Sequence, residues 1–415
     1  MTLPSTLSAP WLAAPSTQAV FEALEGGGFT ARAVGGIVRN TLLGLPPTDI
    51  DIATEALPAD TIRLATAAGL KAFPTGLAHG TITVISKGET FEVTTLRRDV
   101  TTDGRHAQVA FTNDWSQDAA RRDFTINALY CDRHGALFDP LGGAADLSPV
   151  KIRFIGDAGE RIREDYLRIL RFFRFSATYC AEGKLDAEGL AACATHRAGL
   201  ERISGERIQT EMLNLLAASH AVLVTKALVD AGIYAALFDT ASYIDDFSRL
   251  ATIEAEIRAP ADPVRRLAAL SVSKTSDATC LDRRLKLSLR DRNRMVAAAK
   301  HSSAITVDTD LTAARAALYR MGVTYYVDAV LLNWARSGHD ARDLAFMTLA
   351  TLPDRWEPPV MPITGTDAIA QGVAPGPAIG KLMAAVEADW IAGGFIATRT
   401  DLLADLQRRL ANLPE

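Results

Sequence analysis

The stretch Gly35-Gly36-Ile37-Val38-Arg39-Asn40, with Leu42-Leu43-Gly44 after it and Thr48-Asp49-Ile50-Asp51-Ile52-Ala53 beyond, decides how the N-terminal part of this chain is read. A short β-rich run, Ala31–Val34, precedes it, so the predicted order is strand, Gly-Gly, helix, strand. Glycines let a backbone approach phosphates closely, and a helix that starts there offers unpaired N–H groups. Arg39, at the first turn, suits a triphosphate because a guanidinium binds phosphate oxygens two at a time. On a strand, side chains two apart point to one face, which would place Asp49 and Asp51 side by side. Such a pair suits Mg²⁺, an ion that takes one or two carboxylates and keeps its remaining positions for substrate phosphates and water. Two ions so held can activate a 3′-hydroxyl and stabilise a leaving pyrophosphate. An Asp-x-Asp or a Gly-Gly turn by itself is an ordinary surface feature; their order is what points to nucleotidyl transfer. Glu92, in Glu92-Val93-Thr94-Thr95, adds a third carboxylate if its strand lies beside the first.

Outward from this stretch, β-rich runs recur at Ile50–Ala53, Gly80–Ser86, Thr90–Leu96 and Ala107–Phe111. Helical patterns fall between and before them, at Thr17–Leu24, Val38–Leu43 and Ala59–Ala68. Past residue 150 the strand signal fades. Apolar residues take helical spacing at Tyr166–Phe175, Ile208–Ala217, Val264–Leu270 and Asp401–Leu410. The expected architecture is an α/β head followed by an all-α neck, body and tail. Its segments are a lead-in over 1–30, a head over 31–148, a neck over 149–215, a body over 216–300 and a tail over 301–415.

Composition narrows the setting. Of 415 residues, 48% are hydrophobic and 22% charged, the mixture of a globular protein with more than one domain. No apolar run approaches the roughly 20 residues that span a bilayer, and Met1–Ala13 does not read as a signal peptide. Cys131, Cys180, Cys193 and Cys280 are too scattered for a zinc site and read as reduced thiols of a cytoplasmic protein. The net charge of −5 excludes a generally basic nucleic-acid coat, so any RNA must be met by a local basic surface.

Two further motifs carry chemistry. In Arg121-Arg122-Asp123 the guanidiniums suit phosphates and the carboxylate suits a ribose hydroxyl. In Glu164-Asp165-x-x-Arg168-x-x-Arg171-x-x-Arg174 the spacing of three forms a slanted ridge on a helix, so Asp165, Arg168 and Arg171 can face one cleft. Cytosine and adenine both carry an exocyclic amine beside an unprotonated ring nitrogen. Asp165 can accept from the amine while Arg168 donates to the ring nitrogen. Uracil and guanine present a carbonyl and an N–H there, and each mismatched buried group costs about 1–3 kcal/mol. One helix can thus select CTP and ATP without a nucleic-acid template. Arg171 and Arg174 continue the ridge towards phosphate or towards support of the helix.

Taken together, the Gly35–Asp51 stretch, Arg121–Leu129, Glu164–Phe175 and Ser204-Gly205-Glu206-Arg207-Ile208-Gln209-Thr210-Glu211 resemble, in order, the motifs of the class II tRNA CCA-adding enzymes and bacterial poly(A) polymerases. The resemblance covers roughly 31–215, with a looser echo at Gly365-Thr366-Asp367 and Pro375-Gly376-Pro377. It implies a polymerase-β-like nucleotidyltransferase head, Mg²⁺ on Asp49 and Asp51 as the catalytic pair, and nucleotide binding by Gly35, Gly36, Arg39, Arg121, Arg122, Asp123, Asp165, Arg168, Arg171 and Arg174. It also implies tRNA, ATP and CTP as partners. Asn40 departs from the family, which commonly has Asp there; the change bears on loop support. The segment 97–106 resembles the flexible loop used in switching from C to A addition. Arg202, Arg207, Arg265, Arg266, Arg283, Arg284, Lys286, Arg290, Arg292 and Arg294 form an expected stripe for RNA phosphates. Alternatives in view are a poly(A) polymerase, an enzyme adding only CC or only A, and a non-catalytic RNA- or nucleotide-binding protein on the same scaffold.

Overall fold

Alternation along the strands builds the head. In a computed structural model, which describes residues 6–101, 108–148, 150–180, 184–301 and 304–411, nine strands form: β1 (Ala31–Val34), β2 (Ile50–Thr54), β3 (Lys71–Gly76), β4 (Thr81–Ser86), β5 (Glu89–Thr95), β6 (Arg97–Thr101), β7 (Gln108–Phe111), β8 (Tyr130–Cys131) and β9 (Leu137–Phe138). Seven of them make one sheet in the order β3-β4-β5-β2-β1-β8-β9, while β6 and β7 pair as a separate ribbon. Within the large sheet the β2–β5 pair is parallel and its other pairs are antiparallel. Ile82 and Val84 on β4 and Phe91 and Val93 on β5 point to the buried face, while Glu92 between them is exposed. Helices Pro15–Gly26 and Pro58–Ala67 pack together over β4 on that face. The parallel register sets Asp51 opposite Glu92 and the antiparallel one sets it opposite Val34, so both carboxylates stand on the same face of neighbouring strands.

The chain divides into two compact units, Met1–Asp239 with Arg284–Lys286, and Thr240–Arg283 with Leu287–Glu415. The first unit continues past the sheet as helices, chief among them Ala158–Glu164, Leu167–Tyr179, Ala187–His196 and Gly205–Ala217. Aromatic packing fixes helix Leu167–Tyr179 against the head: Phe172 stacks on Phe154 at 5.6 Å, and Phe175 meets Phe124 at 5.3 Å. Phe124 directly follows Arg121-Arg122-Asp123, so this cluster brings two motifs together.

The second unit is all-helical among its described residues. Its central helix Val323–Ser337 packs against Ile244–Glu256, Leu289–Lys300 and Leu344–Ala350, and Trp334 stacks on Phe346 at 5.3 Å. A separate apolar cluster of Ile363, Ala368, Val386, Trp390, Leu402 and Leu406 closes its C-terminal part. Among the described residues, no helix is long and apolar enough to cross a membrane.

Three expectations change. The segment 97–106 begins as strand β6, paired with β7, and is not loop throughout; residues 102–107, including His106, lie outside the described residues. Strand β3 was not foreseen: it is an edge strand with Pro74 in it and no buried face, so no alternation marks it. Arg265, Arg266 and Arg294 are buried in the second unit and paired with carboxylates, which removes them from the expected RNA-facing stripe. Arg283, Arg290 and Arg292 of that unit remain exposed, as do Arg202 and Lys286 of the first.

Candidate active site

Strand β1 ends at Val34, and the backbone turns at once. Gly35 adopts φ +76°, a conformation that a side chain strains, and helix Gly36–Leu42 follows. A Cβ on Gly36 would come within 2.8 Å of the Thr48 hydroxyl, so the second glycine admits the segment that delivers Asp49. Strand β2 opens at Ile50, one residue after Asp49. The sequence placed both aspartates on the strand; Asp49 instead lies just before it, exposed, and Asp51 lies within it, partly buried. Both line one cavity of about 870 Å³. Gly35, Gly36, Arg39, Arg121, Arg122, Asp123, Asp165, Arg168, Arg171 and Arg174 line the same cavity, joined by Thr48, Thr90, Glu92, Asn127 and Phe175.

The acidic wall is strained electrostatically. Burial, with the charges of Glu92 and Asp49, pushes Asp51 up to about 6 against the opposing charge of Arg122. Among the described residues, no group of three or more His, Cys, Asp or Glu side chains is placed to hold a metal ion. The donor set is all oxygen and open to the cavity. That is the chemistry that suits a hard divalent ion completed by phosphate oxygens and water, and not a zinc site.

The basic wall is braced from behind. Asp118, itself 1% exposed, accepts from Arg121 through Nε at 2.9 Å and Nη2 at 2.7 Å, from Arg122 Nη2 at 3.1 Å, and from the Tyr130 hydroxyl at 2.8 Å. Burial alone would raise its carboxyl, but Arg122, Arg121 and Tyr130 hold it down at about 2. Asp123 is treated alike: burial is outweighed by Arg171 and Asn127, and its carboxyl also lies near 2. Arg171 donates to Asp123 at 2.8 Å through Nε, and Arg174 donates to Glu211. Asp118 was missed by sequence reasoning, although its spacing of three and four before Arg121 and Arg122 is the i,i+3 and i,i+4 signature of a helical ion pair.

Arg39 is deeper than its motif suggested. It is 4% exposed and donates to Asn40 at 3.1 and 2.9 Å, to Asn127 and to the Tyr179 hydroxyl, with the Tyr179 ring 4.4 Å from its guanidinium. Asn40 in turn donates through Nδ2 to the Pro46 carbonyl at 2.9 Å, tying down the loop that leads to Asp49. The amide does what the commoner carboxylate could not, accepting from Arg39 and donating to the loop.

Asp165 is not on the helical ridge the sequence predicted. It occupies the break between helices Ala158–Glu164 and Leu167–Tyr179, with φ −152° and ψ 105°. Arg168, Arg171 and Arg174 do share the second helix, and all four side chains reach the cavity. Arg168 donates through Nη1 to Glu164 at 2.6 Å and to the Arg161 carbonyl, and through Nη2 to the Arg121 carbonyl. A guanidinium has five N–H donors, so its Nε–H and one Nη2–H stay uncommitted among the described residues. The cavity thus holds an acceptor on Asp165 and unused donors on Arg168, groups that can pair with the edge of a planar base.

Comparison with known proteins agrees with this arrangement. Residues 31–153 match the family described as Poly A polymerase head domain, and residues 184–244 match the one described as Probable RNA and SrmB- binding site of polymerase A. The mouse mitochondrial CCA tRNA nucleotidyltransferase 1 is 35% identical over 91% of this chain and 86% of its own length. The CCA-adding enzyme of Limosilactobacillus fermentum is 31% identical over 88% of this chain and 89% of its own. The crystal structure of the Bacillus stearothermophilus CCA-adding enzyme in complex with CTP superposes with a TM-score of 0.75 at 27% identity, over 96% of this chain and 98% of that one. On motif order, fold, cavity and full-length similarity, the chain belongs to the CCA tRNA nucleotidyltransferases, the CCA-adding enzymes.

Proposed function

We propose that this protein adds C, C and A to the 3′ end of tRNA, drawing on CTP and ATP and releasing pyrophosphate. The observation that carries the reading is the meeting, in one cavity, of the acidic wall at Asp49 and Asp51 with the base-reading pair Asp165 and Arg168. The terminal 3′-hydroxyl of the RNA attacks the α-phosphate; a new phosphodiester P–O bond forms and the bond to the bridging oxygen of pyrophosphate breaks.

In this reading Asp49 and Asp51 are the catalytic carboxylates and would hold Mg²⁺, with Glu92 opposite Asp51 on the neighbouring strand. Bound there, the ion supplies charge for the triphosphate and lowers the pKa of the attacking hydroxyl. The chain's own residues bind and orient. Arg121 and Arg122, held by Asp118, present guanidinium edges to the phosphates. Asp123 and Asn127 face the sugar from the same wall. Gly35 and Gly36 keep that wall free of side chains. Arg39, bound on several sides, stiffens the turn between the two walls. Asp165 accepts from the amine of cytosine or adenine, and the free donors of Arg168 meet the ring nitrogen. Arg171 and Arg174 hold the helix that carries the pair against Asp123 and Glu211. The segments 149–215, 216–300 and 301–415 are neck, RNA-binding body and tail. All four cysteines are free and three of them buried, which supports a reducing, cytoplasmic setting.

The test is extension of labelled tRNA transcripts ending before the CCA, after C and after CC, with Mg²⁺ and each nucleotide alone or mixed. Growth that halts at CCA is expected. A long adenylate ladder would identify a poly(A) polymerase, and a halt at CC, or extension of the CC-ended RNA alone, would identify a partial enzyme. Tight binding with no incorporation would overturn the catalytic reading.

A further inference from the structure

In the motif Ser204–Glu211, Arg207 was expected to meet RNA phosphates but is paired with Asp165 at the cavity instead. Its helix, Gly205–Ala217, packs directly against helix Leu167–Tyr179 in the first unit. Two of its side chains face the cavity residues. Arg207 donates through Nη2 to Oδ2 of Asp165 at 2.6 Å. Glu211, one turn on, pairs with Arg174 and lies 3.6 Å from Arg171. Both of these contacts end on residues that line the cavity.

Asp165 needs such a contact more than its neighbours do. It lies in the break between two helices, where its carbonyl accepts from the Arg168 N–H at 3.0 Å and its side chain is left to be set by other contacts. Two ties hold its carboxylate: the Leu167 backbone N–H on Oδ1 at 3.1 Å, and Arg207 on Oδ2. Each oxygen keeps a lone pair for the nucleotide. With Oδ1 tied alone, the carboxylate can rotate about its own axis and present either oxygen, at either angle, to a base. The second tie removes that freedom. Arg207 is also half-buried and held at the cleft from a helix whose start is fixed: a Cβ on Gly205 would meet the Arg284 carbonyl at 2.3 Å, and Arg284 itself donates to the Ile203 and Leu200 carbonyls. The brace is therefore anchored independently of the residue it holds.

We infer that Arg207 is a positioning residue for nucleotide choice: it orients the Asp165 carboxylate so that only a base carrying an amine at that edge is accepted. The inference rests on the edge-reading role proposed for Asp165 and Arg168. It assigns selectivity to a side chain outside the base-reading pair. Because a mispointed acceptor lowers the gain from the right base and the loss from the wrong one together, discrimination falls more than turnover does.

The experiment compares kcat/KM for CTP and UTP on tRNA lacking CCA, and for ATP and GTP on tRNA ending in CC, in the full-length protein. Arg207→Gln, Arg207→Lys and Asp165→Ala are each measured against the parent, with tRNA affinity and melting temperature recorded for each. In Arg207→Gln the CTP/UTP and ATP/GTP ratios are expected to fall by about tenfold, with tRNA affinity unchanged; Arg207→Lys, which keeps a donor, recovers part of the ratio. An equal loss for all four nucleotides would overturn the inference and leave Arg207 a structural brace, and so would unchanged ratios. The Asp165→Ala arm separates the two levels. If that variant blurs selection and Arg207→Gln does not, the inference about Arg207 alone is wrong. If Asp165→Ala keeps full selection, the edge-reading proposal itself fails.

Discussion

Two networks of arginine and carboxylate, one in each unit, are built from the same residue types and do opposite things. In the first unit, Asp118, Asp123 and Glu211 each hold arginines that still line a large open cavity, and the arginines stay 15–32% exposed in their side chains. In the second, Arg265 joins Glu254 at 3.0 Å to Asp328 at 2.9 Å, Arg266 joins Glu254 at 2.7 Å, and Arg294 joins Asp328 at 2.7 Å to Asp262 at 2.9 Å. Glu254 is 1% exposed and Asp328 4%. The first network leaves guanidinium edges on an open cavity; the second is sealed, with its arginine side chains at most 10% exposed. Arginine density alone therefore does not mark a binding surface. What distinguishes the two is whether the paired groups retain both a free hydrogen-bonding edge and access to solvent.

The largest effect that sharpens this contrast is at the acidic wall. Asp49→Ala and Asp51→Ala are each expected to lower kcat by at least about a thousandfold while leaving tRNA affinity within a few-fold. Near-parental turnover in either variant would remove that residue from the catalytic pair. Next comes the sealed network. Asp328→Ala takes from the buried Arg265 and Arg294 one of the two carboxylates each has and is expected to destabilise the second unit by about 2–4 kcal/mol, read from denaturant midpoints. Its folded fraction should choose CTP over UTP as the parent does; a stability change under about 1 kcal/mol would show that the network is not sealed. The open network gives the reverse pattern. Asp165→Ala should leave stability nearly unchanged and weaken discrimination against UTP and GTP by about 1–3 kcal/mol in transition-state terms, from single-turnover rates. Undiminished rejection of UTP would refute the base-reading assignment.

The smallest effect is electrostatic. Folding raises the Asp51 carboxyl from 3.8 to about 6, so the folded protein holds that proton more tightly than the unfolded chain. Stability without metal must therefore fall as pH rises between those values, and the penalty is fully present above them. Asp51→Asn abolishes it. In EDTA the variant should melt above the parent near pH 8, and the gap should close at about pH 4. A gap of the same size at both pH values would contradict the shift.

Much of the head was legible in the sequence. Strands β1, β2, β4 and β5 and helices Pro15–Gly26 and Pro58–Ala67 follow from alternation or helical period with Gly or Pro at their limits. Strand β3 and the two-residue β8 and β9 were not, because an edge strand has no buried face and two residues have no period. The site residues were visible because each sits in a dense local motif. Their partners were not: Tyr179 meets Arg39 from 140 positions away, and Asp123 meets Arg171 from 48. Arg207 was read as part of a stripe for RNA phosphates and Glu211 only as part of a motif, since only packing shows that their helix touches the selecting one.

By itself the sequence determined the α/β head with its helical continuation, and the kinds of group available for phosphate, metal and base. Those follow from local rules: side-chain period, glycine at a sharp turn, and the fixed hydrogen-bonding character of Asp and Arg. Tertiary structure alone decided which arginines are free and which are sealed, that Asp165 stands in a helix break with Arg207 behind it, and that Glu92 stands opposite Asp51. Burial and pairing are relations between segments distant in the chain, and the free energy of a charged group depends on that surrounding far more than on its neighbours in sequence.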